Sequence, residues 1–127
     1  MIYEIPITTT TSYTKDNPKK TVVSLARGVI HELDIISDEA ARWTIFIAIA
    51  HGIHQIYPVN TPNYFNLRGE YFAFKEWYEL DTKPYSLNIY TYLDGADYEH
   101  KVIVRIGLLP ERDLRGVMIL WEKQEAL

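Results

Sequence analysis

The sequence contains no cysteine. That absence removes disulfides, thiolate nucleophiles and Cys-ligated zinc together, and it is compatible with a reducing cytosol or with assembly there. Basic charge is also short: 13 Lys and Arg stand against 17 Asp and Glu, for a net charge of −4. Apart from Lys19-Lys20 the cations are scattered, so phosphate-backbone binding lacks its electrostatic source and no nucleic-acid partner is expected. No apolar run approaches the roughly 20 residues that a membrane helix needs. The start, Met1-Ile2-Tyr3-Glu4-Ile5-Pro6, lacks the basic-then-apolar layout of a signal peptide. The expectation is a soluble chain with no membrane partner and no export signal.

Catalytic signatures are missing as well. There is no Gly-rich phosphate loop and no Gly-X-Ser-X-Gly elbow. The four histidines, His31, His51, His54 and His100, raise a metal reading, but positions three apart on a strand point to opposite faces, so His51 and His54 converge only if Gly52 bends the chain sharply. His51-Gly52-Ile53-His54-Gln55 does not supply the His-X-His pair, following Glu and later His of a cupin metal site. Asp94-Gly95-Ala96-Asp97-Tyr98-Glu99 lacks the ligand spacing of a calcium loop and reads as a solvated turn. Glu32 and Asp34, two apart on one strand, would sit on the same side of any substrate and read as surface charge. These absences lead to the expectation of no enzyme activity, no metal and no cofactor.

What is present is a folding composition. Hydrophobic residues make up 47% of 127 residues, with ten Tyr, four Phe and three Trp, enough for one core in one domain and against disorder. Most of the chain alternates with period 2, is rich in β-branched and aromatic residues, and is broken at short intervals by Gly, Pro, Asn and Asp. About eight strands at this spacing predict an all-β fold, an antiparallel β-sandwich of jelly-roll type. We divide the single domain into an N-terminal strand or arm over 1–20, a sandwich core over 21–110 and a C-terminal segment over 111–127.

Within the core, parity groups Val29, His31, Leu33 and Ile35 on one face and Ile30, Glu32 and Asp34 on the other. Trp43 to Ala50 is apolar on both parities and reads as a strand buried on both sides. Gly52 marks a tight hairpin or a bulge. Leu87, Ile89, Thr91 and Leu93, the turn at Asp94-Gly95-Ala96-Asp97, and the returning Val102, Val104, Ile106 and Leu108 read as a hairpin. After Pro110, Leu114, Val117, Met118 and Trp121 fall at helical spacing, so a short helix is favoured over a last strand across Val117 to Trp121.

Two groups of side chains are candidates for contact with something else. Tyr57, Tyr64, Phe65, Trp77 and Tyr78 cluster in sequence around the longest loop, where planar rings can stack on sugars or anchor a partner, although core packing claims most such residues. If the C-terminal segment is helical, the stripe of Leu114, Val117, Met118 and Trp121 must be buried against the sandwich, a sister subunit or another protein. Pairing of exposed sheet edges between copies is a further route to assembly.

Three stretches resemble a known group: Ala26-Arg27-Gly28-Val29-Ile30-His31; Gly52-Ile53-His54-Gln55-Ile56-Tyr57-Pro58 with Asn60; and Tyr78-Glu79-Leu80 through Pro84 to His100-Lys101-Val102-Ile103-Val104-Arg105-Ile106-Gly107-Leu108-Leu109-Pro110. They are similar to small jelly-roll proteins encoded beside virion genes of tailed phages and related prokaryotic viruses. The similarity spans roughly residues 21 to 110 and is one of sandwich pattern. It departs where Ser37-Asp38-Glu39-Ala40-Ala41 replaces a Pro-Gly-rich loop. The resemblance implies a virion accessory part, such as a capsid decoration or turret protein, present in many copies and without cofactor or catalytic residues. The expected partners are therefore other copies, as a trimer to hexamer, and a major capsid protein. The expected location is the virion, assembled in the host cytoplasm. The alternative is a carbohydrate- or ligand-binding sandwich module that uses the aromatic loop over 57–78.

Overall fold

In the computed structural model, which describes residues 1–69 and 71–111, the alternating segments form strands that face each other across one apolar core. They are β1 (Ile2–Thr9), β2 (Lys19–Ser24), β3 (Gly28–Ser37), β4 (Ile45–His51), β5 (His54–Tyr57), β6 (Phe65–Leu67), β7 (Tyr71–Leu80), β8 (Ser86–Leu93) and β9 (His100–Pro110). One sheet has the order β1-β9-β3-β7, and the other β2-β8-β4-β5 with β6 also paired to β4. Every pairing is antiparallel. Apart from β5 and β6, which both flank β4, the chain changes sheet at each step. This is the double Greek key of a jelly roll, and the fold is an all-β antiparallel sandwich of that type.

The period-2 pattern explains which residues lie inside. The first sheet turns Ile7, Ile30, Leu33, Ile35, Val104, Ile106 and Leu108 inward against Val23, Ile45, Ile47, Ile49, Leu87, Ile89 and Leu93 of the second. Each such side chain contributes about 1.5–3 kcal/mol by leaving water. β4 is buried on both faces, because Ala48 and Ala50 on its outer side are covered too and Phe46 stacks on Tyr92 with ring centroids 4.7 Å apart.

Two local expectations change. Leu87 to Leu93 and Val102 to Leu108 alternate as expected but do not pair: β8 lies between β2 and β4, whereas β9 lies between β1 and β3. Asp94 to Glu99 therefore carries the chain from one sheet to the other. Alternation reports that one face is buried, and both sheets of a sandwich impose that condition equally. The register also shifts between Ile30 and Glu32, so His31 is an extra residue in β3 relative to β9. Past that bulge Ile30 joins Leu33 and Ile35 in the core, contrary to a single parity for the strand. At His51-Gly52 both expected devices occur, a hairpin with Gly52 at φ 63° and a register shift between Ile49 and Ala50. The helical reading over 111–127, with Leu114, Val117, Met118 and Trp121, lies outside the described residues beyond Glu111.

Candidate functional site

The two sheets leave an opening along one side of the sandwich, where β7 ends the first sheet and the short β5 and β6 share the margin of the second. β4 pairs through Ile49 to His51 with β5 and through Ile45 to Ile47 with β6, so two short strands stand where one long strand would close the side. Between them Pro58 and Pro62 withhold backbone N–H groups and keep the segment out of the ladder. Opposite, alternation along β7 turns Phe72, Phe74, Glu76 and Tyr78 to the same side, and the three aromatics pack on the core.

The result is a cleft of about 450 Å³ lined by Ile56, Tyr57, Pro58, Val59, Phe65, Phe74, Glu76 and Tyr78. That size falls in the range of small-molecule sites. Phe65 stacks on Phe74 with centroids 5.6 Å apart and planes 16° apart, and Tyr57 meets Tyr78 at 6.5 Å and 66°. Behind Tyr78 lies His51, which is 8% exposed. Its Nε2 is 2.9 Å from the Pro84 carbonyl oxygen and 3.1 Å from that of Thr82. Carbonyls only accept, so Nε2 carries a hydrogen. In the neutral ring Nδ1 is then the acceptor, and the Tyr78 hydroxyl 2.7 Å away donates to it.

Tyr57 is 7% exposed, yet its hydroxyl has no hydrogen-bond partner among the described residues. Burial pushes its phenol far above the usual tyrosine range, and the Glu76 carboxylate and Tyr78 raise it further. Burial, then Asp81, likewise raises the Tyr78 phenol. Both phenols stay protonated through the physiological range. Glu76 makes no hydrogen bond or ion pair with a described residue.

Of the five aromatics singled out in the sequence, Tyr57, Phe65 and Tyr78 line this cleft. Tyr64 instead sits edge-on to Tyr92 at 4.9 Å, beside a second depression of about 390 Å³ that it shares with Gln55 and Tyr90. Trp77 is 52% exposed, with the opposite parity to Glu76 and Tyr78 on β7. Phe74 and Glu76 belong to the site and were not singled out. Their signal was the alternation Phe72, Phe74, Glu76, Tyr78, in which an exposed carboxylate shares the parity of the aromatics.

The histidines serve separate places. The His31 ring lies across Gly107, where an added Cβ would approach its Cε1 and Nε2 to 3.0 Å. His100 is buried and its Nδ1 donates to Asp38 Oδ1 at 3.0 Å, while the Lys101 N–H donates to Asp38 Oδ2. His54 is exposed. Among the described residues no three His, Asp or Glu side chains gather in a way that could hold a metal ion.

No protein-family model matches the sequence, and no curated protein matches it. Among solved structures the chain is similar to Fe(II) HppE, with a TM-score of 0.45 and 10% identity over 84% of this chain and 43% of that one. It is also similar to hydroxypropylphosphonic acid epoxidase from S. wedmorenis, with a TM-score of 0.42 and 10% identity over 82% and 42% of the two chains. A de novo designed double-stranded β-helix matches with a TM-score of 0.36 and 11% identity over 84% and 99%. The chain spans less than half the length of the two epoxidase chains. The likeness is one of fold and transfers neither activity nor residues. The expectation of no enzyme activity, drawn from missing motifs, is nonetheless withdrawn, since an epoxidase is among the structures the chain is similar to.

Proposed function

We propose that this chain is a small-ligand-binding jelly-roll module whose site is the cleft between β7 and the β5 and β6 margin. The observation that carries the reading is the Tyr57 hydroxyl, buried and without a hydrogen-bond partner among the described residues, on a side chain that lines the cleft with Phe65, Phe74 and Tyr78. Leaving such a group unpaired costs about 1–3 kcal/mol. An apolar pocket with a few convergent polar atoms is the usual architecture of a small-molecule site, and a ligand that pairs the hydroxyl recovers that cost. The test is amide NMR of the full chain with a panel of small aromatic, sugar and ammonium compounds. Saturable shifts should gather on residues 55–58, 65–67 and 72–78 and be lost in Phe74→Ala. Saturable shifts gathered around Tyr64 and Tyr92 instead, or none at all, would sink the cleft as the site.

A second reading is favoured by the strand order itself, since the double-sheet jelly roll that builds lectin and cupin domains also builds viral capsid domains. With the resemblance over residues 21 to 110, it supports a virion accessory protein that self-associates and docks on a capsid shell. Light scattering across a concentration series should then give a stable trimer to hexamer. Deleting 112–127, which removes Leu114, Val117, Met118 and Trp121, should dissociate it. A monomer at every concentration, unchanged by the deletion, counts against self-assembly.

A further inference from the structure

We infer that the cleft takes a small organic cation, an ammonium group carried on an apolar body. The inference rests on the cleft being the binding site and adds the chemical class of its occupant. Three side chains among the lining residues carry polar groups: Tyr57, Glu76 and Tyr78. Glu76 brings a carboxylate that no described cation neutralises. With the His51 ring neutral and its Nε2 hydrogen turned to the two carbonyls, the Tyr78 hydrogen is committed to Nδ1, so the Tyr78 oxygen has only lone pairs left to offer. Tyr57 alone has a hydrogen to give, and its oxygen accepts as well.

The remaining walls are ring faces and aliphatic carbon. Phe65, Phe74, Tyr57 and Tyr78 place four aromatic rings around the cleft, and the negative face of such a ring attracts an ammonium within about 6 Å of its centroid. An anion would face Glu76, and a neutral sugar would find acceptors for its hydroxyl hydrogens but one side-chain donor for its oxygens. A cation with an apolar body satisfies the carboxylate, the lone pairs and the rings together.

Choline and its neutral carbon isostere, titrated at low ionic strength into the full chain and followed by amide NMR, test the charge requirement at constant shape. Choline should bind at least about tenfold more tightly than the isostere. Glu76→Gln, a change at an exposed side chain that leaves the core intact, should weaken choline about tenfold and leave the isostere unchanged. Equal binding of the two probes, or no response to Glu76→Gln, overturns the cation while the cleft stands as a site. No saturable shift from either probe also overturns it, and the broader compound panel then decides the cleft separately.

Discussion

Replacing His51 by Leu should lower the unfolding free energy by about 2–4 kcal/mol, a large fraction of the 5–15 kcal/mol typical of a domain. His51 comes from β4 in the second sheet and is bonded to Tyr78 of β7 in the first, so the contact ties the sheets together on the side where β5 and β6 close the sandwich least. The same ring holds the Thr82 and Pro84 carbonyls of the β7 to β8 connection and meets the Tyr78 ring edge-on at 5.8 Å. Leucine fills part of the volume and pairs none of these atoms. The exposed carbonyls turn to water, so most of the cost falls on the half-buried Tyr78 hydroxyl and on lost packing. Urea unfolding should show a lower midpoint with an unchanged slope. A cycle with Tyr78→Phe distinguishes the causes: the double variant should cost about 1 kcal/mol less than the sum of the singles. Strict additivity would mean that the two side chains do not act as a unit.

The features that could be read in advance are those carried by neighbouring residues in the chain. Period 2 placed the inward faces of β8 and β9, the double burial of β4 followed from its unbroken apolar run, and Gly52 marked a real turn. Which strand each segment pairs with was not legible. The return from Asp94 looks like a hairpin because alternation is the same whether a strand joins its neighbour's sheet or the facing one. The bulge at His31 depends on how Gly107 of a distant strand accommodates its ring, and no local pattern contains that. Tyr64 and Phe65 are adjacent in sequence, so at the start of a strand they face opposite sides of the sheet. Sequence proximity therefore grouped side chains that alternation separates. Glu76 was passed over for the converse reason, because a lone carboxylate among aromatics reads as surface charge until both margins of the cleft are placed around it.

Tyr57→Phe should act in the opposite sense to the His51 change, stabilising the fold by about 1–3 kcal/mol at neutral pH while weakening whatever the cleft binds. Phenylalanine keeps the ring that packs on the core and beside Tyr78 and removes only the oxygen that is buried without a partner among the described residues. The gap between variant and parent should widen in alkali. In the unfolded chain tyrosine titrates near pH 10, whereas burial, Glu76 and Tyr78 hold the native Tyr57 proton to well above that. Above about pH 10 the unfolded state therefore binds fewer protons than the native state, and the parent loses up to about 1.4 kcal/mol per pH unit from this group until the native phenol ionises too. The variant lacks the group and escapes that loss. Urea unfolding at neutral pH and at about pH 11 measures both effects. A Tyr57→Phe variant less stable than its parent at neutral pH would show that the hydroxyl is satisfied in the free protein, removing the support it lends to a ligand. A stabilised variant that has also lost cleft binding would place the cost and the recognition on the same oxygen atom, because nothing else at the site has changed.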